Sequence, residues 1–176
     1  MKLSIAIPTC ESKGRGVEFL DDLFRTIEIQ TFKDFEVVVS DHSKDDKLVD
    51  VIEEFQHKFN VTYVKNKNDF GNGPANTNNA IKNCSGDIIK VMFQDDFFYD
   101  DEALQKIYDS FDEQHDWLVC GSNHTQDDGH TFYWDLYPRW NDSIIQGVNS
   151  ISSPSVMAAK KKVFDQIKFD ESLVMM

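Results

Sequence analysis

Ile88-Ile89-Lys90-Val91-Met92-Phe93-Gln94-Asp95-Asp96-Phe97-Phe98-Tyr99 is the stretch on which the fold turns. A run rich in branched apolar side chains suits a strand buried on both faces of a sheet. It breaks off at two adjacent acids. Open α/β sheets bind their ligands beyond the carboxyl ends of the strands, and Asp95 and Asp96 would stand there. Two neighbouring carboxylates repel unless a cation or hydroxyl donors engage them. A hard divalent cation that keeps some waters and takes phosphate oxygens suits one of the pair; sugar hydroxyls suit the other. The pair also reads as a strand end closed by a solvated turn, because acids are common in turns.

Outward from this stretch, strands and helices alternate. Residues 3–8 read as a buried strand closed by Pro8. Residues 17–30 carry Phe19, Leu20, Leu23, Phe24 and Ile27 at a helical period. A strand over 35–40, a helix over 47–59 and a short strand over 61–65 follow. Residues 66–74 have the Asn, Asp and Gly of a loop. A helix is expected over 75–84, ended by Ser85-Gly86. Beyond the Asp-Asp strand come a helix over 101–111 and a strand over 117–120. The alternation predicts an α/β fold with a mostly parallel central sheet, right-handed crossovers and helices on both faces. Residues 123–154 lose the period and predict irregular strands and loops over one edge. Their aromatics, Phe132, Tyr133, Trp134, Tyr137 and Trp140, are expected to pack as core, although a sugar-stacking wall has the same composition.

The chain has 176 residues, 40% of them hydrophobic, with 14 Phe and 3 Trp, enough for a real core and too few for two ordinary domains. One domain is expected, residues 1–176. A net charge of −13 argues against nucleic acid or anionic lipid as a partner. Cys10, Cys84 and Cys120 show no paired spacing, which predicts free thiols, a reducing cytoplasmic setting and no zinc site. Neither a signal peptide before the first strand nor a membrane-spanning run is expected.

Several segments, in this order, resemble the glycosyltransferase family 2 domain, a GT-A type fold. They are Ser4-Ile5-Ala6-Ile7-Pro8-Thr9, the run 29–39 (Ile-Gln-Thr-Phe-Lys-Asp-Phe-Glu-Val-Val-Val), the acidic turn 40–46, Asn78-Asn79-Ala80-Ile81 with Ser85-Gly86-Asp87, and Gln94-Asp95-Asp96. The resemblance implies a metal-dependent inverting glycosyltransferase, moving a sugar from a UDP-sugar to a saccharide or other hydroxyl acceptor, with residues 1–100 as its nucleotide-sugar half and 101–176 as its acceptor-side part. It further implies nucleotide contacts from Pro8, Thr9, Glu11, Asp41, Asn78 and Asp95. Within that set Asp41 would accept the uracil imide N–H and Asp95 would meet the ribose hydroxyls. Asp96 would hold Mn²⁺ or Mg²⁺ on the diphosphate. By itself Asp41 reads equally as a turn or helix-cap residue.

Two departures stand out. Many relatives carry Ala-Arg-Asn where this chain has Asn76-Thr77-Asn78, so an expected cation is missing, and Lys65, Lys67 or Arg15 would have to replace it. Phe169-Asp170-Glu171-Ser172-Leu173 resembles the segment that precedes the family's acidic general-base pair, and the sequence ends at Met176. The base then lies elsewhere or the acceptor-side part is incomplete. Asp127 and Asp128 are the in-chain substitutes, equally readable as a solvated turn. His124 and His130 are further candidates for base or metal ligand, Arg139 for a phosphate or sugar contact, and Cys10 for a nucleophile. Two alternatives stay open: a nucleotidyltransferase using Gly14, Arg15 and Gly16 after the first strand, and a binding module without a base.

Overall fold

The computed structural model describes residues 2–11, 14–126, 131–139 and 150–173. Along the chain run β1 (Leu3–Thr9), α1 (Gly16–Glu28), β2 (Phe35–Asp41), α2 (Val49–Phe55), β3 (Val61–Lys65), α3 (Gly73–Lys82), β4 (Ile88–Val91) and α4 (Ala103–Asp109). Then come β5 (Trp117–Val119), β6 (Ser122–Thr125), β7 (Phe132–Leu136), β8 (Met157–Lys160) and α5 (Lys161–Gln166). Six strands form one sheet in the order β3-β2-β1-β4-β8-β5. β1 to β4 are parallel, and β8 runs antiparallel to both β4 and β5. This is the expected α/β architecture.

β1, β2 and β4 are buried on both faces, which is why they read as largely apolar runs. On one face Leu3, Ile5, Ile7, Val37 and Val39 meet Leu20, Leu23, Phe24 and Ile27 of α1 and Val51, Ile52 and Phe55 of α2. Phe24 packs edge-on against Phe55 and Phe59, with centroids 5.3 and 5.4 Å away. On the other face Ala6, Val38, Ile89 and Val91 meet Ala80 and Ile81 of α3 and Phe164 of α5. Helices therefore cover both faces. Among the described residues no helix is long and apolar enough to cross a membrane.

α3 is a helix of low intrinsic propensity, rich in Asn. Asn72 caps it by accepting the Ala75 N–H at 3.0 Å, and Pro74 occupies its first turn. Its interior asparagines are committed elsewhere. Buried Asn76 donates to the carbonyls of Thr9 (3.1 Å) and Ser40 (2.9 Å), and Asn79 donates to Ser40 Oγ (2.8 Å). These bonds fix α3 across the carboxyl ends of β1 and β2.

The last third departs from expectation in two places. β8, just past the segment expected to be irregular and not itself foreseen, enters the main sheet between β4 and β5. Four residues with two alanines have little strand propensity, and β8 forms because neighbours pair on both sides. The aromatics do not form core. They sit on a separate two-stranded sheet, β6–β7, where Tyr133 and Trp134 are each 59% exposed and Tyr137 71%. Trp134 stacks on His124 at 5.4 Å, and Phe132 meets Tyr99 at 5.2 Å. Trp140 lies outside the described residues.

Candidate functional site

From β1 the chain crosses to β2 and β3 on one side and then to β4 on the other, so the strand order reverses between β1 and β4. Such a switch point opens a crevice at the carboxyl ends of the strands. A cleft of about 790 Å³ lies there. Pro8, Thr9, Cys10 and Glu11 line it from β1, and His42, Lys44, Asp45 and Lys47 from the turn after β2. Phe70, Gly71, Gly73, Asn76 and Thr77 face it from the loop before α3 and the helix start, and Phe93, Gln94 and Asp95 from the end of β4.

Of the expected nucleotide residues, Pro8, Thr9, Glu11 and Asp95 are on this wall; Asp41 and Asn78 are not. Asp41 is fully buried. Its Oδ1 accepts the Ser43 N–H at 2.7 Å, and its Oδ2 accepts the Tyr63 hydroxyl at 2.7 Å and Lys65 Nζ at 3.0 Å. Burial and that bond push the Tyr63 phenol up to about 12. Ser43 Oγ in turn accepts the Glu11 N–H at 2.6 Å. Asp41 thus ties the turn after β2 to the loop after β1, one layer behind the wall. Asn78 grips the chain near its end: it donates to Phe169 O (2.9 Å) and Glu171 Oε1 (2.8 Å) and accepts the Phe169 N–H (3.0 Å).

The acids at the end of β4 differ from each other. Asp95 is exposed on the cleft, whereas Asp96 is half-buried behind it, 3.5 Å from Ser153 Oγ. Burial pushes the Asp96 carboxyl up, and the Asp95 charge adds to the push. Beneath them Lys90, wholly buried on β4, donates to the Ser155 carbonyl, and burial holds it down at about 8. A divalent cation would relieve the crowded charge of this donor set, with phosphates and water completing the shell. Among the described residues no group of three or more His, Cys, Asp or Glu is arranged around a metal position.

The remaining candidates separate. Asp127, Asp128 and His130 lie outside the described residues. His124 is engaged with Trp134 on β6–β7. Arg139 has its backbone tied to Ser150 Oγ and is off the cleft wall. Burial, then Asp41 and Glu11, push the Cys10 thiol up, the opposite of what an activated nucleophile needs. Of the expected replacement cations, Arg15 pairs with Glu18 at 3.3 Å and lies over Phe19. Lys65 is bound to Asp41 and Asp46, and Lys67 is exposed away from the wall. Sequence reasoning missed Lys44 and Phe70. The signal was an aromatic set among turn formers, Asn68-Asp69-Phe70-Gly71, where no core demands one.

A family model described as "Glycosyl transferase family 2" matches residues 4–167. The poly(ribitol-phosphate) beta-glucosyltransferase of Bacillus spizizenii is 29% identical over 122 residues, covering 69% of this chain and 19% of that protein. The crystal structure of Staphylococcus aureus TarS 1–349 in complex with UDP superposes with a TM-score of 0.76 at 23% identity, over 99% of this chain and 52% of that one. The mannosyltransferase PcManGT of Pyrobaculum calidifontis, in complex with GDP-Man and Mn²⁺, superposes with a TM-score of 0.68 at 14% identity, over 98% and 48%. The two superpositions bear on the fold alone. This chain spans a fifth of the length of that curated relative and about half of the two solved chains.

Proposed function

The chain belongs to glycosyl transferase family 2, and from that premise we propose that it transfers a sugar from a UDP-sugar to a saccharide or other hydroxyl acceptor, with a divalent cation and with inversion. The observation that carries this reading is the switch-point cleft with Asp95 on its wall and half-buried Asp96 next to it in the chain.

In this reading Pro8, Thr9 and Glu11 bound the nucleoside, and Asp95 accepts the ribose hydroxyls. Asp41 acts on the base site through Ser43 and Glu11, by holding the two loops together. Asp96, with Asp95 beside it, would hold Mn²⁺ or Mg²⁺, which supplies charge neutralisation of the departing diphosphate. The acceptor hydroxyl attacks the anomeric carbon from the face opposite the diphosphate, and a carboxylate takes its proton. The PcManGT complex with Mn²⁺ and the TarS complex with UDP support the choice of cofactor and base by analogy. The exposed aromatics of β6–β7, joined to the acidic loop through the Tyr99–Phe132 contact, suit the acceptor side.

The test is UDP release from UDP-sugars in Mn²⁺ with saccharide acceptors. Acceptor-dependent release that EDTA abolishes is expected. Equal release from GDP- or CDP-sugars would overturn the uridine assignment, and full release in EDTA would overturn the metal.

A further inference from the structure

The cleft carries acids on several sides (Glu11, Asp45, Asp95), and a nucleoside diphosphate entering it needs positive charge beyond one metal ion. Its lysines differ in what they already hold. Lys47 is paired with Asp45 at 2.8 Å. Lys65, behind the wall, is paired with Asp41 at 3.0 Å and Asp46 at 3.2 Å. Lys44 has no carboxylate partner among the described residues; its ammonium rests over the ring of Phe70, 4.9 Å from the centroid.

Phe70 is 53% exposed at the cleft mouth. Its loop is pinned on both sides of the turn that projects it. Asn66 donates to Asn76 Oδ1 at 3.2 Å, the Asn68 carbonyl is 2.7 Å from His42 Nε2, and Asn72 donates to the Glu171 carbonyl at 2.8 Å. Between these points Asp69 and Gly71 take left-handed backbone, at φ 52° and 84°. The ring is thus held at the edge of a polar cleft, where burying it under a flat partner is favourable. Besides Lys44, the His42 ring approaches it, tilted, at 6.1 Å.

We propose that Phe70 and Lys44 form a two-part clamp on the donor nucleotide: the base stacks on the Phe70 ring, and Lys44, displaced from that ring, pairs with the diphosphate. This rests on the UDP-sugar reading of the site. The exchange runs in the stated direction because the two contacts differ in strength. An exposed ammonium over a ring is worth roughly two- to fivefold in an equilibrium, whereas a base on an aromatic side chain is worth roughly five- to a hundredfold. The freed ammonium then gains a charge-assisted bond to phosphate. The clamp supplies, from the turn after β2 and the loop before α3, the cation that Asn76-Thr77-Asn78 does not.

The test uses two ligands in Mn²⁺, UDP by calorimetry and uridine by ligand-detected NMR, on the wild type, Phe70→Ala, Lys44→Met and Lys44→Arg. Both side chains are exposed, so melting temperatures should be unchanged. Phe70→Ala is expected to weaken UDP and uridine by a similar factor, roughly five- to a hundredfold. Lys44→Met should weaken UDP roughly tenfold while uridine binds as tightly or up to about fivefold tighter, since the ring has no cation to give up, and Lys44→Arg should restore most of the UDP loss. Failure of the wild type to bind UDP overturns the donor reading and the clamp with it. UDP binding by the wild type that Lys44→Met leaves unchanged, or that Phe70→Ala weakens without weakening uridine, overturns the clamp alone.

Discussion

Gln94 and the peptide of Cys10 are joined twice: Gln94 Nε2 donates to the Cys10 carbonyl at 2.9 Å, and the Cys10 N–H donates to Gln94 Oε1 at 2.9 Å. This ring of two bonds couples the loop after β1, which lines the cleft, to the residue immediately before the acidic pair. The amide reaches the loop because β1 and β4 are direct neighbours in register, Ala6 opposite Val91.

Gln94→Ala should therefore act on ligand and fold together. It leaves a half-buried N–H and carbonyl without their partner, at about 1–3 kcal/mol. A lower melting temperature and weaker UDP binding are expected. Gln94→Glu should restore only the bond donated by Cys10. If Gln94→Ala changed neither melting nor UDP binding, the link would have no role in organising the site.

The foot of the sheet predicts an acid limb of stability. Glu36 is buried. Burial by itself would raise its carboxyl pKa, but bonds from Ser4, the Ser85 backbone and hydroxyl, and Lys2 outweigh it and hold it at about 2. A folded pKa below the unfolded value stabilises above the unfolded value, near 4.3, and is lost as pH falls through the folded one. Stability should fall by a few kcal/mol between about pH 4 and 2. Denaturant melts across that range check it: Glu36→Gln should be less stable than wild type at pH 6 and approach it at pH 2. Parallel curves for the two proteins would show that Glu36 has no such linkage.

Much of this was legible in the sequence, for local reasons. β1, β2 and β4 announce themselves as apolar runs because both faces of the sheet are covered there, and α1 by its repeat of Leu20, Leu23, Phe24 and Ile27. The family resemblance followed from segments in β1, β2 and α3 and at the end of β4, in chain order. What was not legible depends on distant partners. β8 carries no signal of its own and exists because β4 and β5 pair with it. Asp41 read from sequence either as a turn residue or as a ligand contact; the Ser43 N–H bond agrees with the turn, and Tyr63 and Lys65, from the next strand, were not legible as the partners of its other oxygen. The helix over 75–84 is legible, but the partners of its asparagines are not, because they lie on strand ends and in the Phe169 segment. The β6–β7 aromatics looked like core because composition does not distinguish a packed face from an open one.

The Asn78 clamp yields a prediction independent of any ligand. Its two bonds with Phe169 and one with Glu171 hold residues 169–171 against α3. Asn78→Ala should loosen that segment while the core stays intact. Trypsin would report it as faster cleavage after Lys168, since cleavage follows the population of the locally opened form. Unchanged cleavage at Lys168 would show that the segment is held by other contacts.

Burying Asp41 sets up a contrast with Asp96. Asp41→Asn removes a charge from Lys65 inside the fold, so it should cost about 1–3 kcal/mol of stability and leave the effect of metal on UDP affinity intact. Asp96→Asn should leave stability at neutral pH nearly unchanged or higher, because burial and Asp95 already oppose its charge, and should abolish the metal effect. Thermal melts with paired titrations in Mn²⁺ and EDTA separate the two; the reverse pattern would exchange the assigned roles.

The central claim is a uridine diphosphate site at the β1–β4 switch point, completed by a divalent cation on the Asp95-Asp96 pair. Calorimetric titration of UDP into the wild-type chain, in Mn²⁺ and again after EDTA, tests it most directly, with GDP and CDP as controls. The account predicts binding of UDP in preference to GDP and CDP, lost or strongly weakened when EDTA removes the metal. UDP binding of equal strength with and without metal, or no preference among the three nucleotides, would contradict it.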